Sequence, residues 1–320
     1  MTQDHAEVVV LYGPTASGKS DLAVTLAERL NGVVINADSL QVYSELRILT
    51  ARPDDAALVR APHRLFGALP AAEAGSATWW RDAALAEITA AHAAGKRAIL
   101  AGGTGLYLKT LIEGLSPLPT ADMEARAQAT ALYAEIGGEA FRAALSDRDP
   151  VAAARLMAGD RQRLIRAWEV FETTGTPLSA WQALPKDPGH ALKFCLIGLM
   201  PPRDSLYARI DRRFEKMLER GAIEEAAQFD ALGLSPVLPA NKALGLTELR
   251  RHLKGEIDLP EAVGLAQQMS RNYAKRQTTW FRHQLPDDKK SPAPHIRHAI
   301  FAELSERNPP EIISFILRPG

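Results

Sequence analysis

The chain has 320 residues, 46% apolar and 24% charged, ordinary figures for a soluble globular protein with room for one large domain or a core plus an insertion. Its 38 lysines and arginines balance 38 aspartates and glutamates, and its one cysteine, Cys195, excludes an internal disulfide framework and a cysteine-cluster zinc site. No apolar run approaches the roughly 20 residues of a membrane span, and the N-terminus, with Asp4 and Glu7, lacks an export-signal pattern, so a cytoplasmic location is expected.

The first element is the β-branched run Val8 to Tyr12, which reads as a buried strand. It empties into Gly13-Pro14-Thr15-Ala16-Ser17-Gly18-Lys19-Ser20, a match at every position to G-x-x-x-x-G-K-[ST]. Glycines let the backbone curl so that successive N–H groups face a phosphate. Lys19 adds a charge, Ser20 offers its hydroxyl to Mg²⁺, and the helix from Asp21 aims its positive end at the same anion. A strand–helix turn that binds nothing is the bland alternative. The strand before and the amphipathic Leu22, Leu26, Leu30 helix after favour a phosphate loop.

Asn31-Gly32 is a helix stop, and Val33 to Asn36 is the next strand, delivering Ala37-Asp38-Ser39 to its carboxyl end, the edge where open α/β sheets bind ligands. Strands are expected at 64–69 and 97–101 with a helix at 79–94 between them. The last of these strands exits through Gly102-Gly103-Thr104-Gly105. Composition shifts at Ser116-Pro117-Leu118-Pro119, and the following stretch is rich in Ala, Arg and Glu with helical spacing. Lys193 to Leu199 reads as a returning core strand, followed by helices at about 203–219, 222–232, 242–253 and 260–283. The expected fold is α/β: a P-loop NTPase-like parallel sheet flanked by helices, built from 1–116 and 193–320, with an all-helical insertion at 117–192. Pro286 to Gly320 receives no role.

Asp38 at a strand exit can accept a proton, bind Mg²⁺ through water, or cap a turn. Ser39, Leu40 and Gln41 follow it, and a glutamine can hold an adenine edge through two hydrogen bonds. Thr104, between glycines, can approach a ligand closely or sit in a plain tight turn. Asn241-Lys242-Ala243-Leu244 lacks the aspartate of a guanine-reading motif, which disfavours a GTPase. Zero net charge hides local basic stretches: Arg155 to Arg166, Arg203 to Arg220 and Arg271 to Arg282. In the insertion, Gln162, Arg163 and Arg166 lie about a turn apart and suit phosphates and bases, while Leu164 and Trp168 can pack inward. Solvated helix faces would explain these charges as well.

The ordered set of motifs resembles the bacterial-type tRNA dimethylallyltransferase family. The likeness runs through 13–20, Asp-Ser-Leu-Gln-Val-Tyr at 38–43, Gly-Gly-Thr-Gly-Leu-Tyr at 102–107, and Gln-Arg-Leu-Ile-Arg-Ala-Trp-Glu-Val at 162–170. It continues through Thr-Gly-Thr-Pro-Leu-Ser at 174–179, Arg-Ile-Asp-Arg-Arg-Phe-Glu-Lys-Met-Leu at 209–218 and Arg-Gln-Thr-Thr-Trp-Phe-Arg at 276–282. The resemblance implies transfer of a dimethylallyl group from dimethylallyl diphosphate to N6 of the adenosine 3′ of a tRNA anticodon, by a monomer using Mg²⁺. It implies that Asp38 is the base, and that Lys19, Thr104 and Arg213, or else Arg209, stabilise the leaving diphosphate. It further implies tRNA contacts at Asp38, Ser39, Leu40, Gln41, Thr104, Arg126, Lys242 and the run Gln162-Arg163-Leu164-Ile165-Arg166, with the target base flipped out of its stack. A small-molecule kinase and an RNA-binding nucleotide switch remain the alternatives. The kinase is disfavoured by the long helical insertion and the lack of a compact Arg-rich lid.

Overall fold

The computed structural model describes residues 7–120, 122–186, 188–285, 295–302 and 308–318. The chain divides into two compact units, Met1–Ile112 with His190–Gly320, and Glu113–Gly189.

In the first unit the chain runs β1 (Glu7–Tyr12), α1 (Lys19–Leu30), β2 (Gly32–Asn36), α2 (Asp55–Arg60), β3 (His63–Arg64), α3 (Ala77–Ala93), β4 (Arg97–Gly102) and α4 (Gly105–Glu113). The second unit holds α5 (Met123–Ser146), α6 (Pro150–Arg155), α7 (Arg161–Thr174) and α8 (Leu178–Ala183). The chain then returns through β5 (Lys193–Leu199), α9 (Arg203–Glu219), α10 (Ala222–Ala231), α11 (Leu246–Leu253), α12 (Leu259–Gln284), β6 (Ile296–Phe301) and α13 (Asn308–Leu317).

The described strands form one parallel sheet in the order β3-β2-β4-β1-β5-β6. β1 lies in the interior, with Val9 opposite both Ile99 and Cys195. A parallel sheet covered on both faces needs near-continuous apolar strands. Accordingly Val8, Val10 and Tyr12 pack on one side with Trp80 and Ile88, while Val9 and Leu11 pack on the other with Leu22, Leu26, Ile312 and Ile316. β2, β4 and β1 are neighbours, so their carboxyl ends open side by side. That alignment brings three motifs together.

The expected strand at 64–69 is only two residues long. Leu65 and Gly67 adopt positive φ (61° and 60°), which breaks an extended run, and only a Tyr43–Leu69 bridge continues the pairing. The helix expected from 242 begins at Leu246, because Gly245 turns left-handed (φ 86°) after a 3-10 turn at Pro239–Lys242. The C-terminal stretch supplies β6 as an edge strand and α13 against α1; residues 286–294, 303–307 and 319–320 lie outside the described residues.

In the helical unit, Phe141, Leu145, Leu164 and Trp168 form a core, and the Arg148 guanidinium lies 3.9 Å from the Trp168 ring centroid. Gly137 (φ 78°) breaks α5 into two helical segments.

Trp80 links the fold to the site. It is fully buried, its indole N–H donates to the Asn36 carbonyl at 2.7 Å, and its ring stacks on Tyr107 with centroids 4.6 Å apart. Trp80→Ala is therefore expected to cost about 3–5 kcal/mol, read as a lower urea midpoint. An unchanged midpoint would remove Trp80 from the core account.

Candidate active site

The phosphate loop has the backbone of an anion nest. Gly13 (φ 152°), Ala16 (φ 62°) and Gly18 (φ 94°) turn the chain where ordinary residues resist. A Cβ on Gly13 would sit 2.3 Å from the Leu199 carbonyl oxygen, so glycine is required there for space as well as conformation. Lys19 donates from Nζ to the Pro14 carbonyl at 2.7 Å and to Ser17 Oγ at 3.3 Å. Burial pushes its pKa down to about 7, Asp38 opposes that shift, and Arg213 adds to it. Ser20 is exposed in the first turn of α1.

Two helices from late in the chain hold this loop. Thr15 donates its N–H to Gln277 Oε1 at 2.8 Å, and its hydroxyl accepts from the Arg213 guanidinium at 2.5 Å. The other end of the Gln277 amide donates to the Gly103 carbonyl at 2.8 Å. Burial lowers the Arg213 pKa while Asp38 opposes it. Arg213 thus touches the phosphate loop; Arg209 lines the same cavity with its Nε bonded to the Ser205 carbonyl.

At the β2 exit, Asn36 shapes the chain. Its side chain accepts from the Asp38 N–H at 2.9 Å and donates to the carbonyls of Asp38 and Leu65 at 3.0 Å each. Asp38 Oδ1 accepts the Leu40 N–H at 2.9 Å, so the turn-capping role is real. Its other oxygen has no hydrogen-bond partner among the described residues, and the residue lines the cavity beside the phosphate loop. Thr104 Oγ1 accepts the Ser39 N–H at 2.9 Å and donates to Ser39 Oγ at 3.2 Å, tying the β4 exit to the β2 exit. Tyr273 of α12 lies near Thr104 and Gln277; burial and the nearby Asp38 raise its pKa.

Gln41 corrects one expectation. Its Nε2 donates to the carbonyls of Thr50 and Ala51, both at 2.9 Å, so both amide hydrogens are engaged and the two-bond grip on an adenine is not available. The glycines after β4 serve packing. Added Cβ atoms would meet the Ala37 carbonyl at Gly102 (2.0 Å), Gln277 at Gly103 (2.3 Å) and Trp280 at Gly105 (2.1 Å).

These exits surround a cavity of about 480 Å³, into which α9 presents Arg209, Arg212, Arg213 and Lys216 from one face. Beside it lies a pocket of about 40 Å³, lined by Leu40, Leu49, Ile210, Phe214 and Met217 as well as by Asp38 and Thr15. An anion nest, a cationic helix face, a half-free carboxylate and a recess walled in part by aliphatic side chains can together hold a diphosphate ester and take up a proton. Gln277 and Tyr273 were missed from the sequence, although their spacing of one helical turn in Tyr-Ala-Lys-Arg-Gln was visible.

In the helical unit, Gln162 and Arg163 are exposed, Arg163 pairing with Asp160 at 3.1 Å. Leu164 (0% exposed) and Ile165 (5%) are core side chains, so they do not present themselves to a partner. Arg166 is not free either. It pairs with the fully buried Glu169 and donates to the Pro119 carbonyl at 2.8 Å, while Arg126 approaches the same Glu169 at 3.5 Å. A buried carboxylate needs such partners. Lys242 is exposed at the end of the 3-10 turn and does not line either cavity.

The sheet order and this loop define a P-loop α/β protein. The profile of the IPP transferase family matches residues 41–284. A tRNA dimethylallyltransferase of Rhodospirillum centenum is 53% identical over 279 residues, 87% of this chain and 89% of that protein. One of Parvibaculum lavamentivorans is 46% identical over 99% of this chain and 98% of its own. The crystal structure of a tRNA isopentenylpyrophosphate transferase from Bacillus halodurans superposes with a TM-score of 0.66 at 33% identity, covering 97% of this chain and 94% of that one. A eukaryotic dimethylallyltransferase described as acting on tRNA gives 0.71 at 26% identity, covering 86% of this chain and 69% of that one. The chain belongs to the tRNA dimethylallyltransferase family.

A Lys19 that loses its proton near pH 7 must regain it to hold an anion. Inorganic diphosphate is expected to bind with proton uptake above about pH 7, its affinity there falling relative to Lys19→Met by up to about tenfold per pH unit. Calorimetry in buffers of different ionisation enthalpy measures that uptake; none at pH 8 would count against it.

Proposed function

We propose that this chain transfers a dimethylallyl group from dimethylallyl diphosphate to the exocyclic N6 amine of the adenosine immediately 3′ of the anticodon in tRNA, releasing diphosphate. The observation that carries the reading is the Asp38 carboxylate, one oxygen unpartnered, opening onto the same cavity as the phosphate loop, Lys19 and Arg213.

The amine of adenine is a weak nucleophile because its lone pair is delocalised into the ring. As N6 bonds to C1 of the allyl group, the C1–O bond to diphosphate breaks, and the N6 proton passes to Asp38. Charge grows on the departing diphosphate, where the nest N–H groups, Lys19 and Arg213 oppose it without reorganising. Thr104 holds Ser39, and so the Asp38 turn, in place. Leu40, Leu49, Ile210, Phe214 and Met217 on one side of the pocket beside Asp38 suit a five-carbon tail.

Among the described residues no group of three or more His, Cys, Asp or Glu is assembled to hold a metal. The donors present, the Ser20 hydroxyl and the carboxylates of Asp21 and Asp38 around the cavity, fit a Mg²⁺ that arrives with the diphosphate and keeps most of its water. Such an ion, when bound, neutralises charge on the leaving diphosphate.

For the acceptor, the adenosine must leave its stack to reach a carboxylate inside a cleft. Gln162 and Arg163 on the exposed face of α7 are the proposed contacts of the helical unit with the anticodon stem-loop, with Lys242 a further contact from the core. Arg166 and Arg126 instead hold Glu169, and so support α7.

Incubation with radiolabelled dimethylallyl diphosphate and unmodified tRNA is expected to place label in RNA without ATP; ATP turnover with unlabelled RNA would point to a kinase. Asp38→Ala is expected to slow transfer by about 10²–10⁴-fold with tRNA affinity nearly intact, and survival of turnover within tenfold would mean another group takes the proton. Arg163→Ala is expected to reduce the salt slope of tRNA binding by about one. Arg166→Ala should chiefly lower the unfolding midpoint, since it leaves Glu169 buried with the more distant Arg126; an unchanged midpoint with a reduced slope would return Arg166 to the RNA interface.

A further inference from the structure

We propose that Glu225 is a positioning residue that fixes Gln41 as a pure hydrogen-bond acceptor, so that the site takes a 6-aminopurine and rejects a 6-oxopurine. This rests on the function proposed above, which seats the acceptor base in the cavity that Gln41 lines.

Glu225 is a buried residue of α10 and does not line that cavity. Its carboxylate accepts three consecutive backbone N–H groups: Arg47 and Ile48 at 2.7 Å each on Oε1, and Leu49 at 2.8 Å on Oε2. Successive amides turned onto one anion form a nest, and hydrogen bonds to a carboxylate are among the stronger kind. The loop is closed by Ala51 N–H on the Ile48 carbonyl and Arg52 N–H on the Arg47 carbonyl, both at 2.9 Å, with Ala51 held at φ 54°. Thr50, Ala51 and Arg52, which leave this nest, form part of the cavity wall.

The carbonyls of Thr50 and Ala51 are the two that receive the Gln41 amide hydrogens. A free glutamine can turn its amide over and meet either a donor or an acceptor. Here a turn would press Oε1 against two carbonyl oxygens, so the amide is locked. What remains is Oε1, which has no hydrogen-bond partner among the described residues. An acceptor there suits one hydrogen of the adenine N6 amine, leaving the other for Asp38. It opposes the O6 of guanine or hypoxanthine, which would put two unpaired acceptors face to face. Glu225 acts one step back, by holding the carbonyls that hold the amide.

The test uses the full chain saturated with inorganic diphosphate and two anticodon stem-loops that differ only in adenosine or inosine at the acceptor position. Fluorescence anisotropy gives the ratio of their dissociation constants. The wild type is expected to favour adenosine by about tenfold. Glu225→Gln, which replaces one of the two accepting oxygens with a donor and so leaves part of the nest facing an N–H, and Gln41→Ala are each expected to bring the ratio within twofold while leaving the salt slope unchanged. Hydrogen exchange at amides 47–49 should accelerate in Glu225→Gln. If that variant does not fold, Glu225→Asp, which draws the carboxylate back by one methylene, is read the same way. A variant that weakens both RNAs equally and keeps the ratio would make Glu225 merely structural and overturn the inference. A ratio unaffected by Gln41→Ala would overturn it by removing the base from Gln41. Failure of the wild type to label tRNA would instead strike the proposed activity, with the base preference still measurable.

Discussion

The site depends on one buried amide. Gln277 accepts from the Thr15 N–H of the phosphate loop and donates to the Gly103 carbonyl after β4. β4 lies between β1 and β2 in the sheet, so this side chain locks the exits of neighbouring strands at a fixed separation. Thr104, the residue after Gly103, accepts the Ser39 N–H at the β2 exit. One helix therefore connects the phosphate nest to the carboxylate at Asp38. A reaction that displaces a diphosphate while a proton leaves elsewhere needs that distance held constant, and short hydrogen bonds between rigid elements hold it better than loops can.

The electrostatics follow from the same crowding. Lys19, Arg213 and Asp38 are close enough to perturb one another, and burial weakens both cations while the carboxylate supports them. Two cations and one acid without an anionic ligand are unbalanced. A diphosphate, the proposed leaving group, would supply the missing negative charge.

Much of this was legible in the sequence because the motifs are local. A strand followed at once by Gly13 to Ser20, or by Asp38, places its own side chains at a sheet edge whatever the rest of the chain does. The long helical interruption was legible for the same reason, through composition and spacing. Residues that act across the fold were not. Gln277, Tyr273 and Glu225 come from helices distant in sequence, and although the spacing of the first two was visible, it does not say which loops they meet. The spacing of Arg166 from Arg163 suggested a shared face, and the structure adds what the spacing did not show: the carboxylate three residues on, Glu169, is buried and pairs with it. Residues 64–69 looked extended by composition, but left-handed backbone at Leu65 and Gly67 ends the strand. The bidentate role of Gln41 failed because two carbonyls from a later loop claim its hydrogens.

The position of β1 has a bearing on how the protein is made. Among the described strands it comes first in the chain, yet one of its two flanking strands, β5, and the edge strand β6 beyond it come last. Glu7 at its start pairs with Arg297 near the end of the chain. An aliphatic strand with open backbone on one side must therefore wait through most of synthesis, while Glu113–Gly189, continuous in sequence, has its partners at hand earlier. Nascent chains stalled before β5 would carry an unsatisfied strand edge, the kind of surface that holdase chaperones shield.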